Sequence, residues 1–80
     1  MRWDPGKSAR LKRERGVSFE EIVLAELVAV MEHGSRRNQR ILLFRHEGYI
    51  WVVPYVYREG GIFLKTLFPS RKYTRKFMKG

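Results

Sequence analysis

There is no cysteine in these 80 residues. That excludes a disulfide framework, a cysteine nucleophile and the cysteine-based zinc patterns. It also suits a reducing compartment. No apolar run approaches the roughly 18 residues that a membrane span needs. Met1-Arg2-Trp3-Asp4-Pro5 leads into charges rather than an apolar stretch, so no signal peptide is expected and a cytoplasmic location is. Internal repeats and low-complexity tracts are absent. No Gly-rich phosphate loop follows a strand, and no nucleophile elbow surrounds Ser8, Ser18, Ser35 or Ser70. The two histidines, His33 and His46, stand in no metal-ligand motif. Neither a metal nor a cofactor is expected.

Acidic residues are scarce: 8, against 17 Lys and Arg, for a net charge of +9. The distribution says more than the sum. Residues 1–16 carry six basic and two acidic side chains, residues 17–35 four acidic and no basic ones, and residues 36–80 eleven basic and two acidic ones. Two basic blocks around an acidic segment suggest an electrostatic footprint on one side of the molecule. Nucleic acid is the leading partner. An anionic membrane surface or an acidic protein is the alternative on charge alone.

The length suits one domain, residues 1–80, with a small but sufficient core. Asp4-Pro5 reads as an N-cap and first helical residue, and Gly16 as the stop of a helix over about 5–15. That helix has only Ala9 and Leu11 as apolar contacts, so it must dock by a narrow edge, with Trp3 anchoring its entry. Ser18 and Glu21 form a capping box, with Val17 and Ile22 as its hydrophobic staple. The second helix is expected to reach about Glu26, with Phe19, Ile22, Val23 and Leu27 as its core stripe. Leu27–Met31 could extend it, but its β-branched residues favour a strand.

From Arg40 a β-meander is expected, with strands Arg40–His46, Tyr49–Tyr57 and Ile62–Phe68 joined by turns at Glu47-Gly48 and Glu59-Gly60. Pro54 points to a bulge or a missing ladder bond in the middle strand. Strand parity sorts Leu42, Phe44, Tyr49, Trp51, Val53, Tyr55, Ile62, Leu64, Thr66 and Phe68 to one face, which should receive the helices. The other face holds Ile41, Leu43, Arg45, Ile50, Val52, Val56, Phe63, Lys65 and Leu67. It carries the charges, and should be open or covered by the C-terminal segment, a second copy or a partner. An odd-length second loop would reverse the last strand's faces. Pro69-Ser70 should start a short basic helix. The expected architecture is α+β, with two N-terminal helices packed on a mainly antiparallel sheet of three to four strands and a short C-terminal helix.

Metal-independent RNA cleavage is chemistry that these residues could support. It needs a base for the ribose 2′-hydroxyl, cations for the phosphate and an acid for the leaving oxygen. Lys65, Arg71, Lys72 and Arg75 could supply cations, Glu32 or His33 the base or acid, and Tyr73 a stacking ring or a proton. Lys7, Arg10, Arg13, Arg45 and Ser70 could add RNA contacts. Each also has a plainer role. The Arg71–Lys79 run suits a solvated helix that only binds phosphate, Glu32 an ordinary surface ion pair, and His46 a structural place beside a turn. A non-catalytic RNA- or DNA-binding module therefore stands beside the enzyme reading.

Trp3-Asp4-Pro5-x-Lys7, followed by Gly16-Val17-Ser18-Phe19-Glu20-Glu21, resembles the opening of BrnT-type toxins of bacterial type II toxin–antitoxin systems. Glu32-His33 after the second helix, Val53-Pro54, and Phe63-Leu64-Lys65-Thr66 with Pro69-Ser70-Arg71-Lys72 resemble one branch of that group. The likeness runs almost end to end. It implies a RelE-like fold, a ribonuclease activity either linked to or independent of the ribosome, and inhibition of translation. It also implies a small antitoxin, commonly with a ribbon-helix-helix DNA-binding part, in a complex that represses its own promoter. A homodimer or a toxin–antitoxin hetero-oligomer would follow. The chain departs from the family at three points. Glu14-Arg15 stands where many members have Lys-His, Leu11 where they have Asn, and Phe77 is the aromatic nearest to the terminal Tyr of many RelE-like sites.

Overall fold

The computed structural model describes residues 1–32 and 40–78. Helix α1 spans Pro5–Arg15 and α2 spans Phe19–Ile22. Strands β1 (Glu26–Glu32), β2 (Arg40–His46), β3 (Tyr49–Arg58) and β4 (Gly61–Leu64) follow. A two-residue β5 (Phe68–Pro69) precedes helix α3 (Arg71–Phe77). The fold is α+β. The antiparallel sheet has the order β1-β2-β3-β4, and β5 also pairs with β3. Arg2 adds a short parallel bridge to Phe63 on β4. Among the described residues no helix is long and apolar enough to cross a membrane.

The N-terminal signals work as local chemistry dictates. Asp4 accepts from the Lys7 amide at 2.9 Å, and Gly16 ends α1 at φ 81°, a left-handed conformation that glycine adopts without steric cost. The Ser18–Glu21 capping box forms in full. Yet α2 is a single turn, not the helix to Glu26 expected from the sequence. Its apolar stripe stops at Ile22. Val23 caps it, and the β-branched run beyond is recruited by pairing with β2 from Glu26 to Glu32. The two N-terminal helices are thus one helix and one turn. They are clamped by Ser8, whose buried hydroxyl accepts from the Phe19 amide at 2.9 Å and donates to Glu20. Within α1 the docking edge is Ser8 and Leu11, and Ala9 is exposed. Trp3 anchors the entry, its ring 5.9 Å from that of Phe19 and its indole N–H on Glu20.

Both meander turns are two-residue hairpins with positive φ at each central position: Glu47 and Gly48, Glu59 and Gly60. That pattern matches the right-handed twist of the flanking strands. On the helix side, Leu42, Phe44, Trp51, Val53, Tyr55 and Leu64 meet Leu11, Val17, Phe19 and Ile22. On the other side, Ile41, Leu43, Ile50 and Val52 are covered by Tyr73, Phe77 and Met78 of the C-terminal segment. The sheet therefore has helices on both faces.

The last strand departs from the expected parity. Tyr55 faces Leu64 and Val52 faces Phe68, so three steps along β3 match four along its partner. The extra residue makes a bulge at Thr66-Leu67 opposite Val53 and breaks the expected Ile62–Phe68 strand into β4 and β5. It turns Leu67 into the helix-side core, where it is fully buried, and moves Phe68 to Val52 on the α3 side. Both residues were expected on the opposite faces. Register with β2 runs unbroken through the Ile41–Pro54 pair, so the irregularity lies in the edge strand and not at Pro54 itself. The Pro54 carbonyl instead accepts from the Lys65 amide at 2.9 Å.

Candidate nucleic-acid interface

Helix α3 gathers three of the four cations that the sequence offers for the phosphate, Arg71, Lys72 and Arg75. Its start is set by Ser70, whose hydroxyl accepts from the Tyr73 amide at 3.1 Å. Its inward side follows the i, i+4 spacing of a helix. Tyr73 and Phe77 stack at 6.2 Å and pack on Ile41, Leu43, Ile50 and Val52. Two further bonds fix it to the sheet through one residue. Ile50 donates its N–H to the Thr74 hydroxyl at 2.8 Å and accepts the Ser70 N–H on its carbonyl at 2.9 Å. Thr74 was not among the residues expected to matter. Its signal was only its place one residue after Tyr73, on the inward side of a short helix.

The outward side then consists of Arg71, Lys72, Arg75 and Lys76, all exposed. Among the described residues, none of the four has a carboxylate within 4.0 Å. Arg71–Arg75 and Lys72–Lys76 are like-charge pairs at i, i+4, and the first turn of α3 contains no acidic residue. Like charges at that spacing, and cations at a helix N-terminus, both oppose helix formation. A bound anion would relieve both costs. Lys72 and Lys76 lie over the Tyr73 and Phe77 rings at 5.5 and 5.8 Å, which holds their stems along the helix.

The other candidates divide. Lys65 is exposed at the bulge, and its register opposite Pro54 puts it on the α3 side of the sheet. Arg45 is on that side too, paired across strands with Ile50, and its Nε lies 3.7 Å from Glu26. Glu32 is elsewhere. It shares a cross-strand row with Arg40 and Tyr55, and Tyr55 belongs to the helix-side core. Its carboxylate is 3.4 Å from Arg40. Glu32 thus stands on the face opposite α3 and is not brought together with Arg71 and Lys72. His33 lies outside the described residues. Tyr73 is half-buried and serves packing. His46 ends β2 beside the β2–β3 turn, paired with Tyr49 on the face opposite α3, with Nε2 4.0 Å from Glu47.

Lys7, Arg10 and Arg13 stand on α1, in the layer on the far side of the sheet from α3. The basic residues therefore form two surfaces, not one footprint. Part of the α1 charge is used internally. Lys12 bonds both Glu21 oxygens at 2.9 Å, and Arg15 donates to the Leu67 carbonyl at the bulge. The Lys12 ammonium, with the Ser18 amide, lowers the Glu21 carboxyl to about 2. The Ser8 hydroxyl, with lesser help from Trp3, lowers Glu20. Burial raises the Tyr55 hydroxyl, and neighbouring Tyr57 adds to it. Among the described residues no three His, Asp or Glu side chains gather into a potential metal-ligand group.

No family model, curated protein or solved structure matches this chain.

Proposed function

We propose that this chain is a BrnT-type toxin with a RelE-like fold, a metal-independent endoribonuclease that cleaves RNA and so inhibits translation. The observation that carries the RNA part is α3: four exposed cations without carboxylate partners among the described residues, two of them, Arg71 and Lys72, at the helix start that disfavours them. Such a surface suits a polyanion held mainly by its phosphates. Arg71, Lys72 and Arg75 bind the scissile region, with Lys65 and Arg45 on the same side of the sheet. Ser70 shapes the helix start. Cations placed there would also stabilise charge building on a phosphate in the transition state.

Glu32 is paired on the opposite face, so the proton-transfer role moves to the α3 end. Its candidate is Tyr73, on the helix itself; His46, paired with Tyr49 of the helix-side core, stands on the face opposite α3 as Glu32 does. The exposed apolar residues Leu27 and Val30 of the edge strand β1, with Leu24 just before it, suit the cognate antitoxin, whose other part would bind DNA. The separation of Glu32 from the cations favours one second reading, a non-catalytic module in which the same residues only position RNA.

RNA incubated with purified protein in EDTA separates the two. The toxin reading expects cleavage, which Arg71→Ala/Lys72→Ala abolishes. Tyr73→Phe lowers it about 100-fold or more if that residue transfers the proton. Intact RNA with undiminished binding overturns the enzyme and leaves the module.

A further inference from the structure

The bulge at Thr66-Leu67 leaves an aromatic ring uncovered on the α3 side of the sheet. Leu27, Val30 and Tyr57, all exposed, fall on the helix side by their pairing with Phe44, Leu42 and Ile62. Phe68 is also exposed, but it pairs with Val52 and falls on the other side. The rings near it there are already covered. Arg58 lies over Phe63 at 4.5 Å, and Lys72 and Lys76 lie over Tyr73 and Phe77. Among the described residues Phe68 has neither a cation over it nor an aromatic partner. We propose that Phe68 is a stacking platform for one unpaired base of the RNA, so that the α3 surface takes single-stranded rather than duplex RNA.

The setting of the ring fits that use. Phe68 comes just before Pro69 and Ser70, the cap of α3, so Arg71 follows closely on one side. Lys65 lies on the other. It is opposite Pro54, two residues along β3 from Val52, which separates it from Phe68 by about 7 Å at strand spacing. Neither Lys65 nor Arg71 has a carboxylate within 4.0 Å among the described residues. A bare ring between two uncompensated cations suits a strand whose phosphates take the cations while a base lies on the ring.

The platform is also ordered in advance. Pairing with Val52 and the proline that follows both hold the Phe68 backbone extended. Little further freedom is lost when a base stacks on it. Within a duplex each base is already stacked between its neighbours, so only an unpaired base can offer its face. An acidic protein segment would satisfy the cations and leave the ring unused. The inference rests on the RNA reading of α3 and deepens it.

The test is fluorescence anisotropy of the full chain with a 2′-O-methylated oligouridylate of about ten nucleotides, which has no free 2′-hydroxyl to attack. The single strand should bind about tenfold more tightly than the same strand annealed to its complement, the worth of one stacked base. Phe68→Leu keeps an apolar side chain and removes the π-face. It should weaken single-strand binding about tenfold at every salt concentration and leave the salt slope unchanged, since no phosphate contact is lost. Phe68→Trp should retain binding, and its added indole emission should be quenched by the RNA. Equal binding of the duplex, or undiminished binding by Phe68→Leu, overturns the stacking proposal and leaves the RNA reading of α3 in place. Displacement of the RNA by polyglutamate at matched charge, or no binding by the wild type, overturns both.

Discussion

Single residues decide whether α3 holds. Thr74 gives the Ile50 N–H its partner, and a buried donor left unpaired costs the desolvation of that group. Thr74→Val should therefore destabilise the protein by about 1–3 kcal/mol, and Thr74→Ser by much less. Urea denaturation of the two variants measures the difference, and faster exchange of the Ile50 amide locates it. Glu21 makes the molecule acid-sensitive in a defined window. Its carboxyl is ordinarily near 4.5 and is lowered to about 2 by Lys12. A group depressed on folding contributes stability above its unfolded value and loses that contribution as pH falls through the folded one. Stability should thus decline between about pH 4.5 and 2, and Glu21→Gln should flatten that part of the curve in thermal melts.

At the scale of elements, the bulge at Thr66-Leu67 governs the last edge. Deleting Thr66 would put Leu67 in the place opposite Val53 and leave Phe68 opposite Val52, so every later residue would keep its face. That deletion should fold, with near-UV circular dichroism close to the wild type. Inserting one residue after Leu67 should not, because it would turn Phe68 toward the helix-side core.

The same bulge marks where sequence reading stops. The caps of α1 and α2, both hairpin turns and the faces of β2 and β3 were legible, because each depends on residues near one another in the chain. Asp4-Pro5, Ser18–Glu21, Glu47-Gly48 and Glu59-Gly60 carry their own geometry. The single turn of α2 was not legible, since strand pairing with β2 outweighs the helical promise of Val23–Glu26. Nor was the bulge, since Lys65-Thr66-Leu67 contains neither glycine nor proline. Of the candidate site, the α3 cations and Lys65 could be read as one group. The separation of Glu32 could not, because it follows from the β1–β2 register. Thr74 was missed because its partner is a backbone N–H 24 residues away.

At the scale of the molecule, the sheet is the middle of three layers, with α1 and α2 on one face and α3 on the other. Each outer layer carries its own cations, so a strand bound on α3 need not touch α1. RNA affinity should fall linearly with salt on logarithmic axes. Arg71→Ala/Lys72→Ala should reduce that slope by about 1.4, two single-strand phosphate contacts. Arg10→Ala/Arg13→Ala should leave it unchanged. Fluorescence anisotropy at several salt concentrations measures both. The two bonds at Ile50 also have a mechanical meaning. β3 is flanked by β2 on one side and by β4 and β5 on the other. Any pull on the cations of α3 is delivered through Ile50 to the strand least able to move. A polyanion seated on the surface should therefore slow hydrogen exchange deep in the centre of the sheet, far from any atom it touches.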